Sequence, residues 1–372
     1  MITPRYAVRC GRRPSMNLPF PVSVFRTWWQ STTVVLLLAA AAVAAAAPVG
    51  DALERPAIMS THAAHSVLLG AAQAGSRLVA VGERGIVVIS EDSGASWRHV
   101  QTPVSVTLNA VRFADEKHGY AVGHGGTVLV SADGGETWTR CLDGRLAAQL
   151  ALAAAQTSGD AADLREAERL VAEGPDKPLF DVLVLDPQHA VVVGAYGLAF
   201  ATDDGGQTWT SWMDRLDNPK GLHLYTIRSR GETIVVAGEQ GLVRRSSDAG
   251  LHFAVLTTPY RGSYFTAELP TAGGIVVAGL RGNFWRSRDA GASWTQLASP
   301  MQASITASAI QSDGALVLVN QAGVVMRAGA LELEPISATP LPSLNGVLTT
   351  RDGGLFALSS QGVFLVKPGD VK

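Results

Sequence analysis

The sequence predicts an all-β chain folded as a seven-bladed β-propeller, with an N-terminal strand closing the last blade and a helical insertion after the second. Three observations lead there. One eight-residue string, S/T-x-D-x-G-x-S/T-W, recurs five times between short apolar runs. Ahead of each copy stands a second recurring unit: an apolar strand, a tight turn ending in glycine, and another apolar strand. The turn glycines Gly85, Gly126, Gly197, Gly241, Gly282, Gly323 and Gly362 are spaced 41, 71, 44, 41, 41 and 39 residues apart, so there are seven units. A period near 40 with several short strands per unit is the mark of a propeller. A β-sandwich has no reason to repeat a turn at a fixed period, and a solenoid would show one strand per coil.

The eight-residue string is an Asp-box. Its copies are SEDSGASW (Asp92, Trp97), SADGGETW (Asp133, Trp138), TDDGGQTW (Asp204, Trp209), a degenerate SSDAGLHF (Asp248) and SRDAGASW (Asp289, Trp294). Strand, turn and strand make each a hairpin. The aspartate accepts from backbone N–H groups of its own turn, and the hydroxyl closes the turn from the other side. The glycine takes a backbone angle other residues resist. The tryptophan buries a large ring between neighbouring sheets. These roles are structural, so the aspartates are read as staples and not as catalytic acids.

Within each unit, four strands A to D run outward from the axis. The seventh unit offers A near 344–349, B near 355–359 and C near 363–366, then stops one strand short. Residues 55–60 precede the first A strand and belong to no unit, so they are expected to supply the missing outer strand. The 71-residue interval holds about 30 extra residues near 142–174. LAAQLALAAAQ has strong helix composition. DAADLREAERLVAE places Leu164, Ala167, Leu170 and Val171 on one helical face. A helical hairpin is expected, either as a lid over apolar surface or as a partner-docking element.

Residues 1–47 read as a cleaved Sec-type signal peptide. They hold five arginines, no acidic residue and an apolar run over 34–47, with an A-x-A site near 44–46. That run is shorter than the about 20 residues a spanning helix needs. An uncleaved N-terminal anchor is the second reading. A periplasmic location follows, and residues 48–372 read as a single propeller domain. Without the leader the chain carries 25 Lys+Arg against 32 Asp+Glu, a net charge of −7, which argues against nucleic acid as partner. Cys141 is then the one cysteine left, so no internal disulfide is expected. Neither cysteine nor the eight histidines show metal-ligand spacing, and no cofactor is expected.

Propeller topology puts B–C turns and D–A connections on one face, and A–B turns with the Asp-boxes on the other. The B–C turns carry Glu83, Arg84, His124, Tyr196, Glu239, Gln240, Leu280 and Arg281, while Arg261 and Tyr264 lie at the connection into unit five. Arg84, Arg261 and Arg281 with Tyr196, Tyr264 and His124 form a candidate Arg/aromatic partner-binding patch. The competing reading pairs these arginines with local acids such as Glu83 and Glu239. Arg244, Arg245, Arg286 and Arg288 follow the C strands and C–D turns of units four and five, either as a basic stripe or as solvated strand charge. A sialidase-like glycoside hydrolase is the enzymatic alternative. It needs an arginine cluster, a Tyr–Glu pair and an acid; the Tyr–Glu pair finds no place on these loops.

The stretches LNAVRFADEKHGYAVGHGGTVLVSADGGETW and GLRGNFWRSRDAGASW, together with PYRGSYF, resemble consensus blades of the photosystem II stability/assembly factor family, over roughly 51–366. The resemblance implies a non-enzymatic exported propeller that binds a newly made membrane protein and assists its assembly, with no small-molecule substrate. In non-photosynthetic bacteria, relatives are often associated with exporters of the resistance–nodulation–division type. The helical insertion and the loss of the box in units six and seven depart from the family pattern.

Overall fold

Six sheets of four antiparallel strands and one of three follow one another along the chain, in a computed structural model that describes residues 50–271, 273–336 and 339–367. The expected signal peptide lies outside the described residues. The innermost strands are Leu68–Ala74, Leu108–Phe113, Leu179–Val184, Leu224–Arg230, Tyr264–Glu268, Ile305–Ile310 and Leu344–Thr349. Each pairs with the second strand of its blade and is kinked by a bulge after its first residue. The second strands are buried almost throughout, for example Gly119–Gly123 and Leu316–Asn320, because both their faces meet a neighbouring blade.

The ring closes differently from the sequence expectation. Among the described residues the seventh sheet has three strands, and residues 55–60 form none. They run beside the outer strand of blade 1 instead: Ala57 N–H donates to the Thr102 carbonyl at 3.1 Å and Ser60 N–H to His99 Nδ1 at 3.0 Å. Pro56 has no N–H to give to a strand ladder. Against the last strand lies a short 3-10 turn, Ala63–His65. A Cβ on Gly362 would sit 2.1 Å from the Ala64 carbonyl oxygen, and Gly362 also has φ +104°. The innermost strands carry the closure. Asn345 Nδ2 donates to the Leu68 carbonyl at 3.1 Å, and Leu68, Ala71 and Leu78 share a core with Leu348, Phe356 and Leu358.

The Asp-boxes are built from local hydrogen bonds. In blade 1, Gly94 N–H donates to Ser90 Oγ at 2.8 Å, Ser90 Oγ to Asp92 Oδ1 at 2.8 Å, Ser96 N–H to Asp92 Oδ1 at 2.8 Å, and Ser96 Oγ to Asp92 Oδ2 at 2.6 Å. The same set recurs around Asp133, Asp204, Asp248 and Asp289, with the His252 imidazole replacing the second hydroxyl in the degenerate copy. These donors hold the Asp92 and Asp289 carboxyls at about 2. Trp97, Trp138 and Trp209 donate their indole N–H to a carbonyl of the same turn. Each ring packs in a core shared with the preceding blade, Trp97 with blade 7, Trp138 with blade 1, Trp209 with blade 2 and Trp294 with blade 4.

The residue after each box aspartate is left-handed. Boxes two and three have glycine there (Gly134, Gly205), but Ser93, Ala249 and Ala290 take φ of 56°, 56° and 59°. Ser93→Gly, Ala249→Gly and Ala290→Gly should each therefore stabilise the protein by about 0.5–1 kcal/mol, the steric relief exceeding the entropy that glycine loses. Thermal unfolding of the three single variants checks this, and a fall in midpoint for all three would refute it.

The insertion forms two helices, α1 (Gly144–Ser158) and α2 (Ala161–Glu173). Asp143 and Asp160 cap their first turns by accepting from backbone N–H groups, and Gly159 ends α1 in the left-handed region. Ala147, Ala148, Ala151 and Ala155 of α1 are buried, in one core with Ala167 and Leu170 of α2 and with Leu142 and Leu198 of blades 2 and 3. Val171, placed on the apolar face by its spacing, is 43% exposed.

Candidate functional site

Five of the seven Gly-ended B–C turns, those of blades 1 to 5, share one geometry. Their first residue donates its N–H to the carbonyl just before the innermost strand, as His124 does to Thr107 at 2.8 Å and Leu280 to Ser263 at 2.9 Å. Their second residue is left-handed: Arg84, Gly125, Tyr196, Gln240 and Arg281, at φ 55°, 66°, 55°, 53° and 57°. That twist throws the second side chain off the face, and Arg84, Tyr196, Gln240 and Arg281 are exposed. Holding a non-glycine residue there costs about 1 kcal/mol or more, so this face carries strain that its side chains could have avoided.

His124 and Arg261 are exposed on this face as well. Tyr264 is not: it is fully buried. It occupies the first position of its innermost strand, where the other blades have Leu68, Leu108, Leu179, Leu224, Ile305 and Leu344, all at 0% exposure. It plugs the interior and leaves the proposed patch. Arg84 belongs to blade 1, Tyr196 to blade 3 and Arg281 to blade 5, so the patch is spread around the ring. The competing reading holds for one pair, Arg84 with Glu83, while Glu239 makes no ion pair with these arginines among the described residues. Glu83 accepts from Val67 N–H at 3.2 Å and Glu239 from His223 N–H at 3.2 Å, while Arg84 stands 4.0 Å from Glu83. Two arginines of the basic stripe are absorbed by the fold: Arg244 donates to the Leu216 and Asp217 carbonyls and Arg286 to the Ala330 carbonyl, while Arg288 is exposed.

The cations over Tyr196 come from the insertion and the segment that follows it. Arg169 of α2 and Lys177 lie 5.9 and 5.5 Å from its ring centroid. Tyr196 N–H donates to His223 Nδ1 at 2.9 Å, and the two rings meet edge-on at 4.9 Å. From there an aromatic row continues through Tyr225 to Phe265, with Phe180 beside it; Tyr225 lies 5.2 Å from both phenylalanines.

This row leads into an axial pocket of about 250 Å³. Counted from the buried first residue, the second position of every innermost strand lines it: Phe180, Tyr225 and Phe265 on blades 3 to 5, and Leu69, Asn109, Thr306 and Asn345 on the rest. Asn109, Thr306 and Asn345 each hold the first carbonyl of the next blade, at 2.7, 2.9 and 3.1 Å. The third positions complete a second ring, where Asp181, Thr226 and Thr266 are the polar members, and Arg112, Arg228 and Ser308 lie deeper.

Four charges meet there. Arg228 donates to Asp181 Oδ2, and its Nε lies 3.6 Å from Glu268 Oε1. Asp181 also accepts from Val182 N–H, Thr226 Oγ1 and Ile227 N–H at 3.0 to 3.1 Å. Ser308 Oγ donates to Glu268 at 3.1 Å and shares a 2.6 Å bond with Thr266. Arg112 approaches Asp181 at 3.7 Å and donates to its neighbour, the Val111 carbonyl, at 2.9 Å. Burial works to raise the Asp181 carboxyl, but Arg228 and Arg112 outweigh it and hold it low. Burial wins at Glu268, which is pushed up despite Arg228, Ser308 and Arg112. A carboxylate with four donors is no free general base, so this acid pair lacks the arrangement of a glycosidase. Among the described residues, no cluster of His, Cys, Asp and Glu could hold a metal.

Sequence reasoning missed this pocket. The usable signal was a charge inside an otherwise apolar innermost strand, as in LNAVRF, LFDVLV, LYTIRSR and YFTAE.

Comparison with known proteins bears on family and fold. Solved structures similar to the chain include YCF48 bound to D1 peptide (TM-score 0.59, 15% identity, covering 86% of this chain and 98% of that one) and YCF48 from Cyanidioschyzon merolae (0.60, 16%, 84% and 97%). The GH74 xyloglucanase from Xanthomonas campestris is as similar in fold (0.59, 13%, 82% and 53%), so the fold by itself does not select among functions. In sequence, the photosystem II assembly lipoprotein Ycf48 of Synechococcus sp. (strain CC9902) is 33% identical over 76 residues, which is 20% of this chain and about a quarter of the length of that protein (23%). The sequence model described as photosynthesis system II assembly factor YCF48 matches residues 89–162 and 166–369. That match runs through nearly all of the propeller, and the chain belongs to the YCF48 assembly-factor family.

Proposed function

We propose that the protein is an exported, non-enzymatic assembly factor that holds a segment of a membrane-protein client on its B–C-loop face. The observation that carries this reading is the aromatic row from Tyr196 to Phe265, flanked by Arg169 and Lys177, on the face whose turns hold exposed side chains in strained backbone. Aromatic residues and arginine dominate binding hot spots. Family membership supports it, as does the solved structure of YCF48 bound to D1 peptide. The location is periplasmic, reached by the Sec-type leader, and an exporter of the resistance–nodulation–division type is the client expected in a non-photosynthetic host.

The test is crosslinking and pull-down from envelope membranes with wild type, an Arg84/Arg261/Arg281 charge-reversal variant, and Tyr196→Ala. A membrane protein enriched by wild type should be lost or reduced at least tenfold with Tyr196→Ala, and reduced with the charge reversal. The same partners recovered from all three would remove the face from the argument. Failure of wild type to enrich any membrane protein would sink the function itself.

A further inference from the structure

The axial pocket holds a guanidinium with unused hydrogen-bonding capacity. A guanidinium has five N–H donors. Among the described residues, Arg112 makes one hydrogen bond, to the Val111 carbonyl, and stands 3.7 Å from Asp181, outside hydrogen-bond range. The Asp181 oxygen that Arg112 approaches, Oδ1, accepts from Val182 N–H, while Thr226, Ile227 and Arg228 all donate to Oδ2. The Arg112 side chain keeps 34% of its surface accessible, so its remaining donors are open to a ligand. It lines a pocket of about 250 Å³ whose upper ring is Phe180, Tyr225 and Phe265 on one side.

We propose that this pocket binds a small organic carboxylate, its anionic head on Arg112 and its apolar body against Phe180, Tyr225 and Phe265, with uptake of a proton by Glu268. The scale fits. Arg112 nears Asp181, which sits one strand position below the aromatic ring, a rise of about 3.3 Å. A head group on Arg112 therefore leaves the body of a benzoate-sized ligand at the level of the rings. One guanidinium with spare donors suits a monoanion better than a phosphate dianion. The proton follows from charge balance. Arg112, Arg228, Asp181 and Glu268 sum to zero when ionised, so an added anion leaves a net negative charge in a partly enclosed site. The groups facing Glu268 are Arg228, Arg112, Asp181 and Ser308. Of the two carboxylates, Asp181 is held low by both arginines, and Glu268 is already raised by burial. Glu268 is the one that neutralises. The inference rests on the pocket and not on the client reading.

Titration calorimetry of the full chain with benzoate, acetate, benzamide and inorganic phosphate tests it. Benzoate should bind saturably, with acetate, phosphate and the neutral benzamide each at least tenfold weaker. Its affinity should rise as pH falls, by up to tenfold per pH unit for one linked proton, and Glu268→Gln should remove that slope. Arg112→Gln should weaken benzoate at least tenfold, whereas Arg327→Ala, on an exposed outer position, should leave it unchanged. Should Arg112→Gln not fold, the wild-type pH slope and the benzoate-to-benzamide ratio still decide. No saturable benzoate heat at tens of millimolar, equal binding of benzamide, or a folded Arg112→Gln variant with unchanged affinity would overturn the site. A wild-type affinity independent of pH would overturn the proton on Glu268.

Discussion

Arg228→Ala is expected to destabilise the propeller by about 3–5 kcal/mol, the cost of leaving buried carboxylates without their shared cation. Among the described residues Arg228 is the one group that contacts both Asp181 and Glu268, and through them it ties the innermost strands of blades 3, 4 and 5. Arg112 offers Asp181 a contact at 3.7 Å and cannot replace it. Unfolding entropy of about 2.1 cal/mol/K per residue converts the loss to a melting-temperature drop of roughly 5–8 °C for a propeller of this size. Two further results would identify the cause. The deficit should shrink as pH falls into the glutamate range. Glu268 is raised in the folded state, so its neutral form favours folding at low pH and that favour is lost as pH rises through its folded value. Replacing Arg228, Asp181 and Glu268 together by apolar residues should cost less than Arg228→Ala alone. A single variant as stable as wild type near neutral pH would show that the cluster is solvated and not a buried network.

Trp138→Ala is expected to cost about as much, some 3–5 kcal/mol, by a different route: a cavity. Trp138 is 6% exposed and packs in the core shared by blades 1 and 2, edge-on to Phe113 at 6.1 Å. Its indole N–H is bonded within its own turn, to the Gly135 carbonyl at 2.9 Å. Truncation removes that bond and opens the space between two blades, which the rigid second strands on either side cannot collapse to fill. Thermal unfolding should show a melting temperature lower by several degrees and independent of pH, which separates this variant from Arg228→Ala. Trp97→Ala should cost less, because Trp97 is only half-buried.

The blade count was legible in the sequence because its signals are local. An Asp-box closes its hydrogen bonds within eight residues, from Ser90 to Trp97, and it does so wherever those residue types occur at that spacing. The B–C turns were equally legible, since a glycine at a fixed place announces a left-handed residue. Tyr264 was misjudged because it was read beside PYRGSYF. Its true peers are Leu68, Leu108 and Leu224, residues one or more periods away. The axial pocket escaped for the same reason. Phe180, Tyr225 and Phe265 are each unremarked in their own strand, and Arg112 looks like ordinary strand charge.

By itself the sequence determined the repeat, the seven units, the box chemistry and the two capped helices of the insertion, all of which depend on residues close along the chain. The tertiary structure alone decided which strand positions face the axis, that Arg112, Asp181, Arg228 and Glu268 meet there, that Arg169 and Lys177 cover Tyr196, and that residues 55–60 lie along blade 1 and not in blade 7. The reason is physical. Those contacts join residues tens of positions apart, and they form only once the curvature of the closed ring brings seven equivalent strand positions to one axis.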